Sequence, residues 1–349
     1  MESTSVYSWH PAIFFNEDEA LKEFNTKVYT INPKLIKKFK DAYVVLDKTD
    51  DIDAFIIADR LRFGRLPLSI IKTEQYMALQ RLTRMRFRLI QNLTREKKYF
   101  LQNLFFKCSA FSTEVETSTF DSTIMDLLLE RYSLDEISSM NIESLADYLR
   151  EKSKNRYSEL EKVAKCIQKA ARSSYRLSKC VKYSINILLG TSIESIRSIK
   201  NQIKQLDKSI AKILEGISNT LQSISGIGHV YSAGIITEIC DINRFKDQAS
   251  LAKYAGLTWS KHESGKFKAD DTNTIRSGNT YLRYYLVEAA NSVKMYDTEF
   301  SDYYYKKYHE ALKHKHKRAL VLTARKLVRL VDVLLRRDQI YSPQRKVNR

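Results

Sequence analysis

The stretch LGTSIESIRSIKNQIKQLDKSIAKILEGI, residues 189–217, decides the fold class. Its apolar residues fall at Leu189, Ile196, Ile199, Ile203, Leu206, Ile210, Ile213 and Ile217, and from Ile196 onward the spacing alternates three and four. That period keeps one seam of a helix facing a partner, as in a coiled coil or a bundle. The partner lies either inside the same chain or on another subunit, because periodicity describes a face and not its occupant. Upstream, Ile71 to about Cys108 reads as one further helix. Leu79, Leu82, Met85, Leu89 and Leu93 share one side of it, and Arg81, Arg84, Arg86, Arg88, Arg95, Lys97 and Lys98 take much of the rest. Between the two, residues 111–150 are more acidic and rich in Ser and Thr, and read as short helices.

Composition agrees with a helical protein. A chain of 349 residues with 43% hydrophobic content can build two or three domains with real cores, which excludes disorder as its main state. With only 9 Gly and 4 Pro, tight turns are scarce. One segment, Thr-Lys-Val-Tyr-Thr-Ile at 26–31, alternates as a short strand does, and Asn32-Pro33 then opens a basic helix. After Gly216 the texture changes, since six of the nine glycines lie between 226 and 278, so a separate C-terminal domain is expected from about 221. The expected fold is mainly α, with a partial α/β region at 1–110, a helical and coiled-coil region at 111–220, and a helical domain at 221–349. No run of eighteen apolar residues and no charged-then-apolar leader occur, so neither membrane spanning nor secretion is expected, and the cytoplasm is the default location. Cys108, Cys166, Cys180 and Cys240 lack any paired spacing and read as reduced, mostly buried thiols.

Charge narrows the partners. Lys and Arg number 59 against 41 Asp and Glu, a net +18 that calls for a polyanion, nucleic acid first. The excess is localised: residues 311–349 hold twelve basic and two acidic side chains, and residues 76–108 hold eight and one. A solvated surface without a partner would spread it more evenly. A ribosome-like basic surface and a membrane-facing helix are the alternatives that charge leaves open.

Several constellations could carry chemistry. Ile224-Ser-Gly-Ile-Gly-His-Val230 sits between apolar-periodic stretches, so Gly226 and Gly228 would form a tight turn whose amides meet phosphate at a helix N-terminus, as in helix-hairpin-helix modules; an ordinary helix-helix turn reads the same. Asp50 and Asp53 open a helical pattern that puts both carboxylates on one face, where they could share a hard metal ion or simply favour the helix dipole. Ser264 lies in a loop-like stretch with basic neighbours, a setting in which a hydroxyl can act as nucleophile toward a phosphate. Arg276 and Arg283 flank the start of an amphipathic helix running from Tyr281 to Val293, and either could add a phosphate contact. His314 and His316, two apart on a helix, point to different sides and do not suggest a metal site.

Taken together these segments resemble the insertion-sequence transposases that join a RuvC-like, ribonuclease-H-type domain of four acidic residues to a C-terminal serine domain, a group that includes the pilin-gene invertase and the bridge-RNA-guided recombinases. The match is densest at Ser225-Gly-Ile-Gly228, Ala233, Asp241-Ile-Asn-Arg-Phe245, Leu251, Tyr254-Ala-Gly-Leu257, Ser264-Gly265 and Arg276-Ser-Gly-Asn279 with Leu282-Arg283. Lys317-Arg318-Ala319 and Ala324-Arg-Lys-Leu327, which contains Arg325, resemble the family's closing helices. Glu2-Ser-Thr with Tyr7, Ile31-Asn-Pro33, and Lys48-Thr-Asp50 with Asp53-Ala54 resemble the second half of the acidic domain.

The resemblance implies Ser264 as nucleophile and Glu2, Asp50 and Asp53 as three of four carboxylates holding Mg²⁺. The fourth belongs to a strand ahead of Glu2, so the acidic domain is expected to be N-terminally truncated. The implied function is a DNA transposase or site-specific recombinase working by Mg-assisted serine attack on phosphodiesters. Its implied partners are DNA and a structured guide RNA, with no membrane, in a homo-oligomer, dimer or tetramer, at a bacterial nucleoid. Gly226, Gly228, Arg276, Arg283, Lys317, Arg318 and Arg325 are the expected nucleic-acid contacts. The alternative, which the missing carboxylate favours, is a non-catalytic nucleic-acid-binding remnant or regulator of such an element.

Overall fold

A computed structural model describes residues 1–3, 7–43, 47, 49–64, 66, 73–116, 119–128, 132–259, 263–264, 267–268 and 278–343, the two pairs 263–264 and 267–268 by backbone alone. Sixteen α-helices account for most of them. They are α1 Trp9–Glu17, α2 Glu19–Glu23, α3 Pro33–Lys40, α4 Asp50–Phe63, α5 Glu74–Lys107, α6 Phe111–Glu114, α7 Ser122–Asp126, α8 Leu134–Ser139, α9 Ile142–Ser153, α10 Leu160–Ser173, α11 Lys179–Leu214, α12 His229–Ile239, α13 Gln248–Ala255, α14 Thr280–Tyr296, α15 Thr298–Glu310 and α16 Lys315–Arg337. Among the described residues the strands are β1 Glu263–Ser264 and β2 Phe267–Lys268, an antiparallel pair with Ser264 opposite Phe267. The mainly α expectation holds. No helix of the described residues is long and apolar enough to cross a membrane.

The strand expected at 26–31 is corrected by the structure. Only Ile31 pairs, in a single parallel bridge to Glu2, held by Ile31 N donating to Met1 O at 3.0 Å and Ser3 N donating to Ile31 O at 2.7 Å. A strand needs a partner as long as itself, and Met1–Ser3 is what this edge meets before Pro33 commits the chain to α3, capped by Asn32. The ribonuclease-H-like α/β character of the N-terminal region is therefore absent from the described residues. Ile31, Ile36 and Ile56 form a small core of their own with α3 and α4 around them.

The chain gathers into two compact units, one of Met1–Thr83 with Ile210–Arg349, the other of Arg84–Ser209. Within the second unit α5 and α11 run antiparallel. Arg86 meets Asp207 and Lys107 meets Asn186, so a step of twenty-one residues along one helix is matched by twenty-one back along the other. The seam read from the sequence is covered inside the same chain: Leu189, Ile196 and Ile203 are buried, and α6 to α10 complete the core around Phe100, Leu104, Ile167 and Leu189. The cysteines are all free, with Cys108 buried, Cys166 and Cys240 half-buried and Cys180 exposed.

The first unit owes its order to α12 lying on α14. Gly234 of α12 sits flat on the ring of Tyr285, which is wholly buried, and a Cβ at that position would overlap the ring. The ring has nowhere to go, because Tyr285 donates its hydroxyl to Thr83 O at 2.7 Å. Eight residues earlier, ahead of α12, Gly226 has φ +98° and would bring a Cβ to 3.0 Å from the backbone of Ser292 and Val293. Both a left-handed backbone and a close approach therefore require glycine there. α16 covers the other side of α14 with Ala324, Leu327, Val328 and Val331. Gly234→Ala should cost about 1–3 kcal/mol by overpacking. Urea unfolding reads this as a lower midpoint at unchanged slope, and an unaltered midpoint would show that the ring can move aside.

Candidate active site

The stretch that carries Ser264 lies between α13 and Asn279, and the local sequence explains how the residues on either side of it are held. Asp247 caps α13 by accepting from Ser250 N at 2.7 Å. At the return, Asn279 caps α14: its Oδ1 accepts from Tyr281 N and Leu282 N, both at 3.0 Å. The same residue ties the two ends together, since Asn279 N donates to Tyr254 O at 2.7 Å. Its side-chain amide donates to Glu238 Oε2 at 2.7 Å and to the Tyr254 hydroxyl at 3.1 Å. Glu238 is only 2% exposed, so this amide helps to keep a carboxylate in the interior. Arg244 completes the base: it stacks over Phe245 and Tyr254 at 4.6 and 4.5 Å and donates to Glu238 O at 3.1 Å. Two buried polar atoms beside the loop, Thr258 Oγ1 and Arg244 Nε, have no hydrogen-bond partner among the described residues.

The expected site residues divide as follows. Ser264 lies in β1, and its side chain, like all of Arg276, is outside the described residues. Arg283 stands in the first turn of α14, its guanidinium reaching Ala255 O and Thr280 Oγ1 at 3.4 Å each, so a cation is fixed at the foot of the loop. Gly228 heads α12 without a side-chain cap and is exposed together with His229, whereas Gly226 is explained by its packing on α14. Lys317 and Arg318 are exposed in the first turn of α16, while Arg325 is half-buried, lies against Gln248 of α13 and has its pKa pulled down by that burial. His316 accepts or donates to the Tyr304 hydroxyl at 2.7 Å, a packing contact. Sequence reading missed the Asn279, Glu238 and Tyr254 cluster. An Asn directly before a helix signals the cap, but nothing local signals a buried carboxylate forty-one residues away.

Comparison with known proteins gives these features a class. The Transposase IS116/IS110/IS902 family model matches residues 218–305, and the DEDD transposase model of IS110 elements matches residues 1–106. The 44.8 kDa protein of insertion element IS116 from Streptomyces clavuligerus, itself described as uncharacterized, is 24% identical over 314 residues, covering 89% of this chain and 76% of that relative. The protein is an insertion-sequence transposase, an enzyme of DNA transposition. Its matches to transposase models fall in two separate stretches, residues 1–106 and 218–305.

A DEDD domain brings with it the use of divalent metal in general, and the carboxylates present can be tested for it. Glu2 sits on the bridge to Ile31 and Asp50 is exposed at the head of α4, whose N-cap is Thr49. Asp53 is ion-paired with Lys40 at 2.7 Å. Among the described residues no three His, Cys, Asp or Glu side chains gather closely enough to hold a metal ion. As arranged, then, the three carboxylates do not fit a metal site.

Replacing Asn279 separates capping from the carboxylate contact. Asn279→Ala should cost about 1–3 kcal/mol, one part for the cap and one for the donor lost by Glu238. Asn279→Asp keeps the cap acceptor but turns a second carboxylate toward Glu238, so its loss should be larger at pH 7 than at pH 4. Denaturant titrations at both pH values check this, and a neutral Asn279→Asp at pH 7 would reduce the residue to a cap.

Proposed function

We propose that this transposase exchanges DNA strands through Ser264, with the Asn279 clamp as the fixed base of the nucleophile's loop. The observation that carries the reading is that clamp: Asn279 at the return is bonded both to Tyr254 O at the other end and to the buried carboxylate of Glu238, with Arg283 reaching Ala255 O beside them. In the proposed step the Ser264 hydroxyl gives up its proton and its oxygen attacks a backbone phosphorus, while the deoxyribose oxygen leaves with a proton. A phosphoserine ester results, and a second strand's hydroxyl later displaces Ser264 by the reverse path, so no bond energy is lost. Arg283 and Arg276 would balance charge on the phosphoryl oxygens, which helps most where charge grows in the transition state. Gly228 at the head of α12, with Lys317, Arg318 and Arg325 on α16, would position backbone phosphates without reading bases.

The remaining assignments rest on the resemblance and on charge. The resemblance assigns Mg²⁺ to Glu2, Asp50 and Asp53, an arrangement that their described side chains do not form, Asp53 being held by Lys40. That pair is only partly buried, and ion pairs near the surface are worth about 0–1 kcal/mol. A structured guide RNA is the proposed second polyanion, and a homo-oligomer, dimer or tetramer, the proposed working form. The Lys40–Asp53 pair specifically favours a second reading, a nucleic-acid-binding member of the family that does not cut.

One assay separates the two readings. With donor, target, the element's RNA and Mg²⁺, the wild-type protein should form a covalent protein–DNA adduct that Ser264→Ala abolishes while binding stays within about twofold. An adduct that persists in Ser264→Ala would remove the serine from the chemistry, and no adduct from either protein would leave the non-cutting reading. Binding itself should weaken with salt by a log-log slope of roughly −0.7 to −0.9 per phosphate contacted. A flat salt dependence would deny the basic surfaces a role.

A further inference from the structure

The second unit contains a pocket that strand exchange does not use. It has a volume of about 90 Å³ and is lined by Lys107, Asp135, Tyr175, Arg176, Lys182 and Asn186, with Leu134, Leu177 and Ile185 as its apolar wall. That is room for more than one water molecule. The unusual member is Lys107, which is 7% exposed. A buried ammonium is ordinarily paired with a carboxylate. Among the described residues its one hydrogen bond goes to a neutral acceptor, Asn186 Oδ1 at 2.8 Å, so two of its three protons have no acceptor there.

The surroundings add positive charge rather than cancelling it. Lys182 is close enough to oppose Lys107, and burial together with that neighbour pulls the Lys107 pKa down to about 8. Asp135, the carboxylate in the lining, is already taken by Arg176 Nε at 2.7 Å. Arg176 is locked in place by further bonds to Ala171 O and Ser174 O at 2.7 and 3.0 Å. Lys107, Lys182 and Arg176 therefore line the space together with Asp135, whose carboxylate Arg176 already holds. The pocket also adjoins the first two turns of α11, through Lys182, Ile185 and Asn186, where the helix dipole favours an anion. At its rim Tyr175 is 83% exposed, an aromatic face with nothing stacked on it among the described residues.

We propose that this pocket is a phosphoryl-binding site, in which Lys107 and Lys182 hold the oxygens of a phosphate carried by a nucleic acid or by a small free phosphate. The oxyanion accepts the protons that Lys107 leaves unused and relieves the repulsion between the two lysines. Tyr175 provides a surface for a base attached to that phosphate. The site does not include Ser264, which lies 78 residues beyond Asn186, and holds whether or not that serine is the nucleophile.

The test uses the full chain and two probes, inorganic phosphate and a short single-stranded DNA with a 5′-phosphate, titrated calorimetrically. Lys107→Met and Lys182→Met should each weaken binding of at least one probe by tenfold or more, whereas Lys152→Met, on the exposed face of α9, should leave both within about twofold. Oligonucleotide that displaces bound phosphate identifies a nucleic-acid source; phosphate binding that the oligonucleotide does not disturb identifies a small free phosphate. Should Lys107→Met fail to fold, Lys182→Met at the mouth decides alone. Unchanged affinity for both probes in the lysine variants, or equal weakening by Lys152→Met, would overturn the assignment.

Discussion

The contact between Gly234 and the buried ring of Tyr285 is the constraint on which the rest of the first unit depends. It sets how near α12 comes to α14, and the hydroxyl bond to Thr83 O keeps the ring from yielding. With α12 seated, the turn at Gly226 closes on the backbone of Val293, and α14 is held along its length. A helix held that firmly presents its first turn as a rigid edge. Asn279 uses that edge twice, capping the helix and tying Tyr254 and Glu238 to the loop's return. Joining a loop to a rigid base limits how far its ends stray.

Charge is divided between structure and partner. Arg86 with Asp207, Lys326 with Glu299 and Arg336 with Asp332 are internal pairs, so part of the basic excess serves the fold. Lys326 also lies over the rings of Phe300 and Tyr303, and Lys294 over Tyr304 at 3.9 Å, where burial lowers its pKa. At the head of α16, Lys315, Lys317 and Arg318 stand exposed within one turn. A net +18 on an insertion-sequence transposase is then consistent with a surface that attracts nucleic acid broadly and a few fixed cations that place it.

Helices were readable from the sequence because each needs only its own period and its ends. Glu74–Lys107, the Asn32-Pro33 start of α3 and the run from Thr280 all follow from apolar spacing and capping residues. Pairing was not readable. The seam at 189–217 announced that one face is covered, yet its cover is α5, an element eighty or more residues earlier. The alternation at 26–31 announced a strand, but a strand exists only when a partner edge does, and Ile31 finds one residue to bridge. The same limit applies to the sites. Arg283 was legible from its place after the glycine-asparagine turn, whereas the Lys40 partner of Asp53 and the buried Lys107 depend on side chains brought from other helices.

Native-state hydrogen exchange at the Tyr281 and Leu282 amides tests the central claim most directly, because both are bonded to Asn279 Oδ1 at the point where the loop meets its base. If α14 and its cap form one rigid frame with α12, these two amides should exchange only through global unfolding of the first unit, with the same free energy as amides in the middle of α14. Exchange at the rate of exposed loop amides, while the middle of α14 stays protected, would contradict the account and show that the base of the loop opens by itself.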